Sequence, residues 1–242
     1  MKNQNLPFAE FLYSPLRCEA LRMIRESLEL CDNFLLTGPA RLPTRYGPFR
    51  IYAFQCPFSG EDHVALVKGQ IARREDVLVR LHSECVTGDV FGSERCDCGA
   101  QLDAALKKLG KAPRGALLYL AQEGRGIGIA NKVAAYHLQD HGLDTVDANR
   151  VLGFPADLRT YKCAACVLRV LGVKSIRLMT NNPAKIEQLE SYGVRVSSRI
   201  PLQIPATSQS LRYLQTKKDR LAHLLDTPRV SGPRARRRPG PR

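Results

Sequence analysis

Between Arg114 and Ala121 the sequence reads RGALLYLA. The run has strand length, is apolar without alternation, and so predicts a β-strand buried on both faces. Such a strand needs helices on each side of its sheet, and the residues after it supply them. IANKVAAYHLQDHG, LRTYKCAACVLRVLG (ending at Gly172) and PAKIEQLESYG (with Pro183 near N1) have helical spacing, while SIRLMT and VRVSSRIPL read as strands. SLRYLQTKKDRLAHLL reads as a last helix. Upstream, GPFRIYAF, DHVALVKG and DVLVRLHS are short β-branched or aromatic runs, and GAQLDAALKKLG reads as a helix ended by Gly110. Strands alternating with helices predict an α/β fold: a mixed sheet flanked by helices, with an antiparallel β N-terminal part. No internal repeat is present.

Composition narrows the class. A hydrophobic fraction of 44% in 242 residues excludes a disordered chain and suffices for one large or two small domains. No apolar run approaches the ~20 residues of a membrane span. The N-terminus has no apolar signal-peptide core, so a cytoplasmic location is expected. Eight cysteines are then expected to stay reduced, available for metal ligation or nucleophilic chemistry. The net charge is +14, and the six arginines of RVSGPRARRRPGPR (Arg229 to Arg242) account for six of it, leaving +8. A positive body favours an anionic substrate or nucleic acid.

HSECVTGDVFGSERCDCGAQL places Cys85, Cys96 and Cys98 within fourteen residues, spaced C-x10-C-x-C. A structural zinc site takes four ligands, commonly in C-x2-4-C pairs. Three thiolates leave one tetrahedral position open, the arrangement of a catalytic zinc. On an extended segment Cys96 and Cys98 would point the same way. Gly88, Gly92 and Gly99 would give the loop freedom to bring Cys85 back to them. The alternative is three small buried residues, and His82 stands as a possible fourth ligand, a substrate contact or core. Cys163 and Cys166 form a C-x2-C on a helical face, either a metal or redox pair or two small residues packed on the sheet. Further on, QEGRGIG joins the buried strand to a helix, a setting in which glycines and a helix N-terminus favour an anion.

Together RLHSECVTGDVFGSERCDCGAQLDAAL, AQEGRGIGIANKVAAYHLQDHGLDTVDAN, LGFPADLRTY and RLMTNNPAKIEQLESYGV resemble GTP cyclohydrolase II of bacterial riboflavin synthesis, over roughly residues 41 to 225. The resemblance divides the chain into an irregular or helical extension (1–40), a catalytic domain (41–225) and a disordered Arg/Pro-rich tail (226–242). Within the extension SPLRCEALRMIRESLELC has Ser14 as N-cap, and Cys18 and Cys31 read as buried small residues. The family opens the imidazole ring of GTP, releases C8 as formate, and removes pyrophosphate.

The resemblance implies one catalytic zinc per subunit on Cys85, Cys96 and Cys98, with Tyr136 near the ring chemistry. It implies GTP contacts at Arg80, Glu84, Gln101, Glu123, Gly124, Arg125, Thr145, Thr180 and Lys185, Glu123 facing the guanine N1 and N2 protons. Mg2+ is expected with the triphosphate. Asp157 and Arg159 match the pair proposed to act at the α-phosphate, Arg159 either as nucleophile or as transition-state stabiliser. A guanidinium is a poor nucleophile, which favours the second role. A homodimer is implied; membrane and nucleic-acid partners are not. Two other readings stand beside this one: a silent nucleotide-binding paralogue, and a basic zinc-stabilised nucleic-acid-binding protein.

Overall fold

The computed structural model describes residues 36–56, 59–207 and 210–225. The expected N-terminal helix with Cys18 and Cys31, and the Arg/Pro-rich tail, lie outside the described residues. Seven strands form one sheet: β1 (Leu36–Thr44), β2 (Gly47–Gln55), β3 (Asp62–Lys68), β4 (Val77–Ser83), β5 (Gly115–Leu120), β6 (Ile176–Met179) and β7 (Val196–Ile200). Their order is β1-β2-β3-β5-β4-β6-β7. The pairs from β1 through β3 to β5 are antiparallel, while β5–β4, β4–β6 and β6–β7 are parallel. The mixed sheet with an antiparallel N-terminal part is therefore observed.

Helices α1 (Val86–Asp89), α2 (Cys98–Lys111), α3 (Gly128–Asp140), α4 (Thr145–Val151), α5 (Lys162–Val170), α6 (Pro183–Ser191) and α7 (Leu211–Arg220) flank the sheet. β5 explains why helices are needed. Its Ala116, Leu118 and Leu120 enter one core with Val79, Leu81 and the apolar face of α5, while Leu117 enters a second core with Leu109 of α2. Leu118 is fully buried. Leu118→Ala is expected to destabilise the chain by about 2–5 kcal/mol, read from urea unfolding. None of these helices is long and apolar enough to cross a membrane.

Several local readings need correction. LTGPARLPT carries two prolines and gives no strand signal, yet forms β1. It is an edge strand bonded to β2 alone, and an edge tolerates proline. Helix α4 was also not expected; Asp144 caps it, accepting from the Val146 and Asp147 amides at 2.7 and 2.9 Å. Gly110 does not end α2, which continues to Lys111. A side chain at Gly110 would collide with the Tyr46 carbonyl, so the glycine serves a close approach. LRTY stays outside α5, which starts at Lys162. Cys163 and Cys166 are both buried on α5, but Cys163 is bonded to Cys56, so this pair departs from the expected reduced thiols. Their Cα atoms are 6.0 Å apart, within the span a disulfide bridges.

Candidate functional site

The parallel strands end together, and in such sheets ligands bind beyond the carboxyl ends. β4 leads into Glu84 and Cys85, β5 into the 3-10 turn Glu123–Gly126, and β6 into Thr180, Asn181 and Asn182. A partly open cleft lies over these ends, lined by residues that follow all three strands.

The three cysteines meet at this cleft. Their sulfurs lie within 4.8 Å of one another, and Cys85 Sγ and Cys96 Sγ are 3.7 Å apart. Zinc–sulfur bonds of ~2.3 Å at the tetrahedral angle require sulfurs about 3.8 Å apart, so the spacing fits the metal. Cys98 is the first residue of α2, not part of an extended segment, so the meeting comes from a helix start and not from strand alternation. Gly88 and Gly99 serve proximity: a Cβ at Gly88 would sit 3.1 Å from Cys96 Sγ, and one at Gly99 would strike the Gly88 carbonyl. Only Gly92, at φ +68°, needs a left-handed backbone. Hydrogen bonds from the other two thiols lower the Cys85 pKa, and the hydrogen bond with Cys85, then burial, pushes Cys96 up to about 11. A cation is what lets all three ionise.

His82 is not a fourth ligand. Its Nε2 lies 3.0 Å from both Asp89 carboxylate oxygens, and its ring stacks on Tyr119. Asp89 also accepts from the Tyr119 hydroxyl at 2.9 Å and the Cys85 amide at 3.0 Å. This buried group fastens the cysteine loop to β4 and β5. Burial holds the His82 and His63 imidazoles below their ordinary pKa. The unfolded chain therefore takes up protons below about pH 6.5 that the folded chain refuses. Stability is expected to be full above that pH and to fall below it, seen as a urea midpoint that drops from pH 7.5 to 5.5.

The rest of the cleft is rich in cations. Arg80, on β4, donates to the Met179 carbonyl at 2.9 Å and to Gln101 Oε1 at 2.6 Å, while its buried Nε has no partner. Both terminal nitrogens of Arg125 are buried without partners. Lys185 donates to the Leu81 carbonyl at 2.8 Å; burial, then Arg80 and Arg159, push its pKa well down. Buried cations lacking counter-ions are costly unless an anion arrives. Tripolyphosphate at a hundred times its Kd should stabilise by ~2.7 kcal/mol, or about 5–11 °C in Tm, by scanning fluorimetry. No shift, or an undiminished shift in Arg125→Ala, would contradict this.

Asp157 and Arg159 form a two-pronged pair, with Nε–Oδ1 at 2.8 Å and a second prong to Oδ2 at 2.5 Å. Burial alone would lower the Arg159 pKa, but Tyr161 and Asp157 raise it, so the guanidinium stays charged. Arg159 faces the cleft and reaches Ser83 Oγ at 3.5 Å. Glu123 accepts from the Val86 and Gly124 amides at 2.6 and 2.7 Å and from Lys132 at 2.7 Å. Three of its roughly four acceptor sites are thus occupied within the chain. Glu84 also lines the cleft, its pKa raised by burial and then by Glu123. Tyr136 places its hydroxyl 3.3 Å from Thr87 Oγ1, beneath Arg95, and burial raises its pKa. Gly124 (φ +61°), Thr145 and Thr180 also line the cleft, while Asp157 lies behind Arg159 and is not part of its wall.

Residues 37–201 match the model of the GTP cyclohydrolase II family. The chain belongs to this family of enzymes. It is 54% identical over 184 residues to the riboflavin biosynthesis protein RibBA of Endomicrobium trichonymphae, covering 76% of this chain and 46% of that protein. It is 55% identical over 185 residues to RibBA of Bacillus subtilis (strain 168), with the same shares covered. The chain thus spans about half the length of the curated relatives it matches. A two-domain 3,4-dihydroxy-2-butanone 4-phosphate synthase from A. baumannii aligns at TM-score 0.42 and 19% identity, over 76% of this chain and 48% of its own. That likeness is too distant to inform the site.

Several residues of this family member's cleft were not expected. Lys132 Nζ lies 3.1 Å from Cys85 Sγ, 2.9 Å from Thr87 Oγ1 and 2.7 Å from Glu123, tying the thiols to the QEGRGIG turn. Tyr213, Lys217 and His223 also line the cleft, beyond the stretch that matches the family. Lys217 donates to Asp97 Oδ1 at 2.7 Å, between two of the cysteines. Burial and the nearby cations Lys217 and Arg159 push His223 down to about 3. The one sequence signal for these is the cationic face of the last helix.

Proposed function

We propose that the chain catalyses the zinc-dependent hydrolysis of GTP. It opens the imidazole ring with release of formate and pyrophosphate and forms 2,5-diamino-6-ribosylamino-4(3H)-pyrimidinone 5′-phosphate, the first step of riboflavin biosynthesis. One observation carries the reading: a single cleft holds both a three-thiol cluster with zinc spacing and the unpartnered guanidinium nitrogens of Arg80 and Arg125. The first suits water attack on a ring carbon, the second a polyphosphate.

Cys85, Cys96 and Cys98 would hold the zinc. When bound, zinc lowers the pKa of water and supplies a nucleophile near neutral pH. Lys132 offsets the thiolate charge and holds the Glu123 carboxylate in place. Glu84, Gln101, Glu123 and Thr145 orient the base and ribose, with the remaining acceptor capacity of Glu123 directed at the guanine protons. Tyr136, kept protonated by burial, would pass a proton to the opening ring. Arg80, Gly124, Arg125, Thr180 and Lys185 bind the triphosphate.

Asp157 orients Arg159, whose retained charge stabilises the α-phosphate transition state. Mg2+ accompanies the phosphates, as their charge requires. A homodimer is the working assembly. Val133 on α3 and Val151 on α4 are more than half exposed, apolar surface that a second copy would cover. Sedimentation would report it.

The test is GTP labelled at C8, incubated with the chain, zinc and Mg2+. Labelled formate, pyrophosphate and a diaminopyrimidinone product by mass are expected in equal amounts. Bound GTP without formate would make the chain a silent paralogue.

A further inference from the structure

Cys56, His63 and Cys163 form a second cluster of sulfur and nitrogen donors, apart from the thiols of the cleft. All three are buried, with donor atoms within 4.8 Å of one another. Cys56 follows the end of β2, Cys163 is the second residue of α5, and their sulfurs are joined across 107 residues. The bond lies between two turns that build the cleft. On one side Cys163 follows Arg159 by four residues, through Tyr161, the N-cap of α5. On the other, His63 Nδ1 accepts from the Ala121 amide at 3.0 Å, two residues before Glu123.

We propose that Cys56 and Cys163 are a redox-modification site. This dithiol closes by exchange with a low-molecular-weight disulfide and, once closed, fastens the segment bearing Asp157 and Arg159 to the sheet.

A second zinc is the competing occupant, and the geometry disfavours it. The sulfurs are bonded to each other, unlike Cys85 and Cys96, which keep 3.7 Å between them. The Nδ1 lone pair of His63 is engaged by the Ala121 amide, so the neutral ring carries its proton on Nε2 and has no lone pair there for a metal. A closed structural site also needs a fourth ligand.

Access comes through a turn. Cys56 is tied to it by its own amide to the Glu61 carbonyl at 2.9 Å and by the Gly60 amide to its carbonyl at 2.8 Å. Gly60 and Glu61 are exposed, and local opening there uncovers the sulfur. In the exchange, the Cys56 thiolate attacks one sulfur of the small disulfide and expels one small thiol. The Cys163 thiolate then attacks the Cys56 sulfur of the mixed disulfide and expels the second. Two protein thiols are oxidised, and one small disulfide is reduced to two thiols.

The test uses the full zinc-loaded chain, reduced and then treated with glutathione disulfide. Alkylation and unreduced peptide mapping should yield the Cys56 and Cys163 peptides linked. Tryptic cleavage of the folded chain after Arg159 and Lys162 should be about fivefold slower in the oxidised form than in the reduced form. Cys163→Ala should cleave at the reduced rate in both conditions; should that variant not fold, the wild-type comparison alone decides. Alkylation of both cysteines after oxidation, equal cleavage rates, or a second zinc lost in Cys56→Ser would overturn the proposal. None of these outcomes depends on GTP being the substrate.

Discussion

Cys96→Ser is expected to lower formate release from GTP by on the order of a thousandfold or more, the scale of several kcal/mol lost from the transition state. The reason is local. Cys96 is only partly buried and belongs to neither apolar core, so the fold should survive. Its sulfur is one corner of the thiol cluster, 3.7 Å from Cys85 Sγ. A serine hydroxyl is a far weaker zinc ligand than a thiolate. Metal analysis, circular dichroism and the formate assay on one preparation separate loss of zinc from loss of fold. A variant that kept its fold, lost its zinc and still released formate at the wild-type rate would remove the metal from the account.

Arg159→Ala should lower pyrophosphate release by about a thousandfold, the lower end of what a transition-state arginine contributes. Asp157→Asn should cost less, because it weakens the orientation of the guanidinium and leaves the charge in place. The two-pronged contact explains the coupling: Asp157 holds Arg159 by Nε at 2.8 Å and also accepts from the Arg159 amide at 3.0 Å. The raised pKa of Arg159 favours a stabilising role over a nucleophilic one. Rapid quenching and mass analysis distinguish the two. A nucleophile leaves a guanylyl adduct on Arg159 during turnover, whereas a stabiliser leaves none.

Much of this was legible because it depends on nearby residues. The apolar run at β5, the proline at the start of α6, and the glycine after α5 each carry a local physical signal, and each element formed, α5 without its first four expected residues. The Cys-x10-Cys-x-Cys spacing is local in the same sense. What escaped depends on distant partners. β1 is a strand only because β2 lies beside it, so its prolines misled. Lys132 looks like an ordinary helical lysine until Cys85 and Glu123 are placed at its tip. Lys217 sits 120 residues from its partner Asp97. Cys56 and Cys163 are likewise brought together only by the packing of α5 on the sheet. Asp144 is the exception: a capping residue before Thr145 that was readable and went unread.

In the proposed reaction, zinc and a polyphosphate site of one cleft act on the same molecule of GTP. The most direct measurement is formate release as zinc is returned to the metal-free chain, with bound zinc counted alongside. The rate of formate release should rise in proportion to bound zinc and level off at one zinc per chain, with pyrophosphate release rising in step. Formate independent of zinc, or zinc bound at the cysteines without formate, would contradict the account.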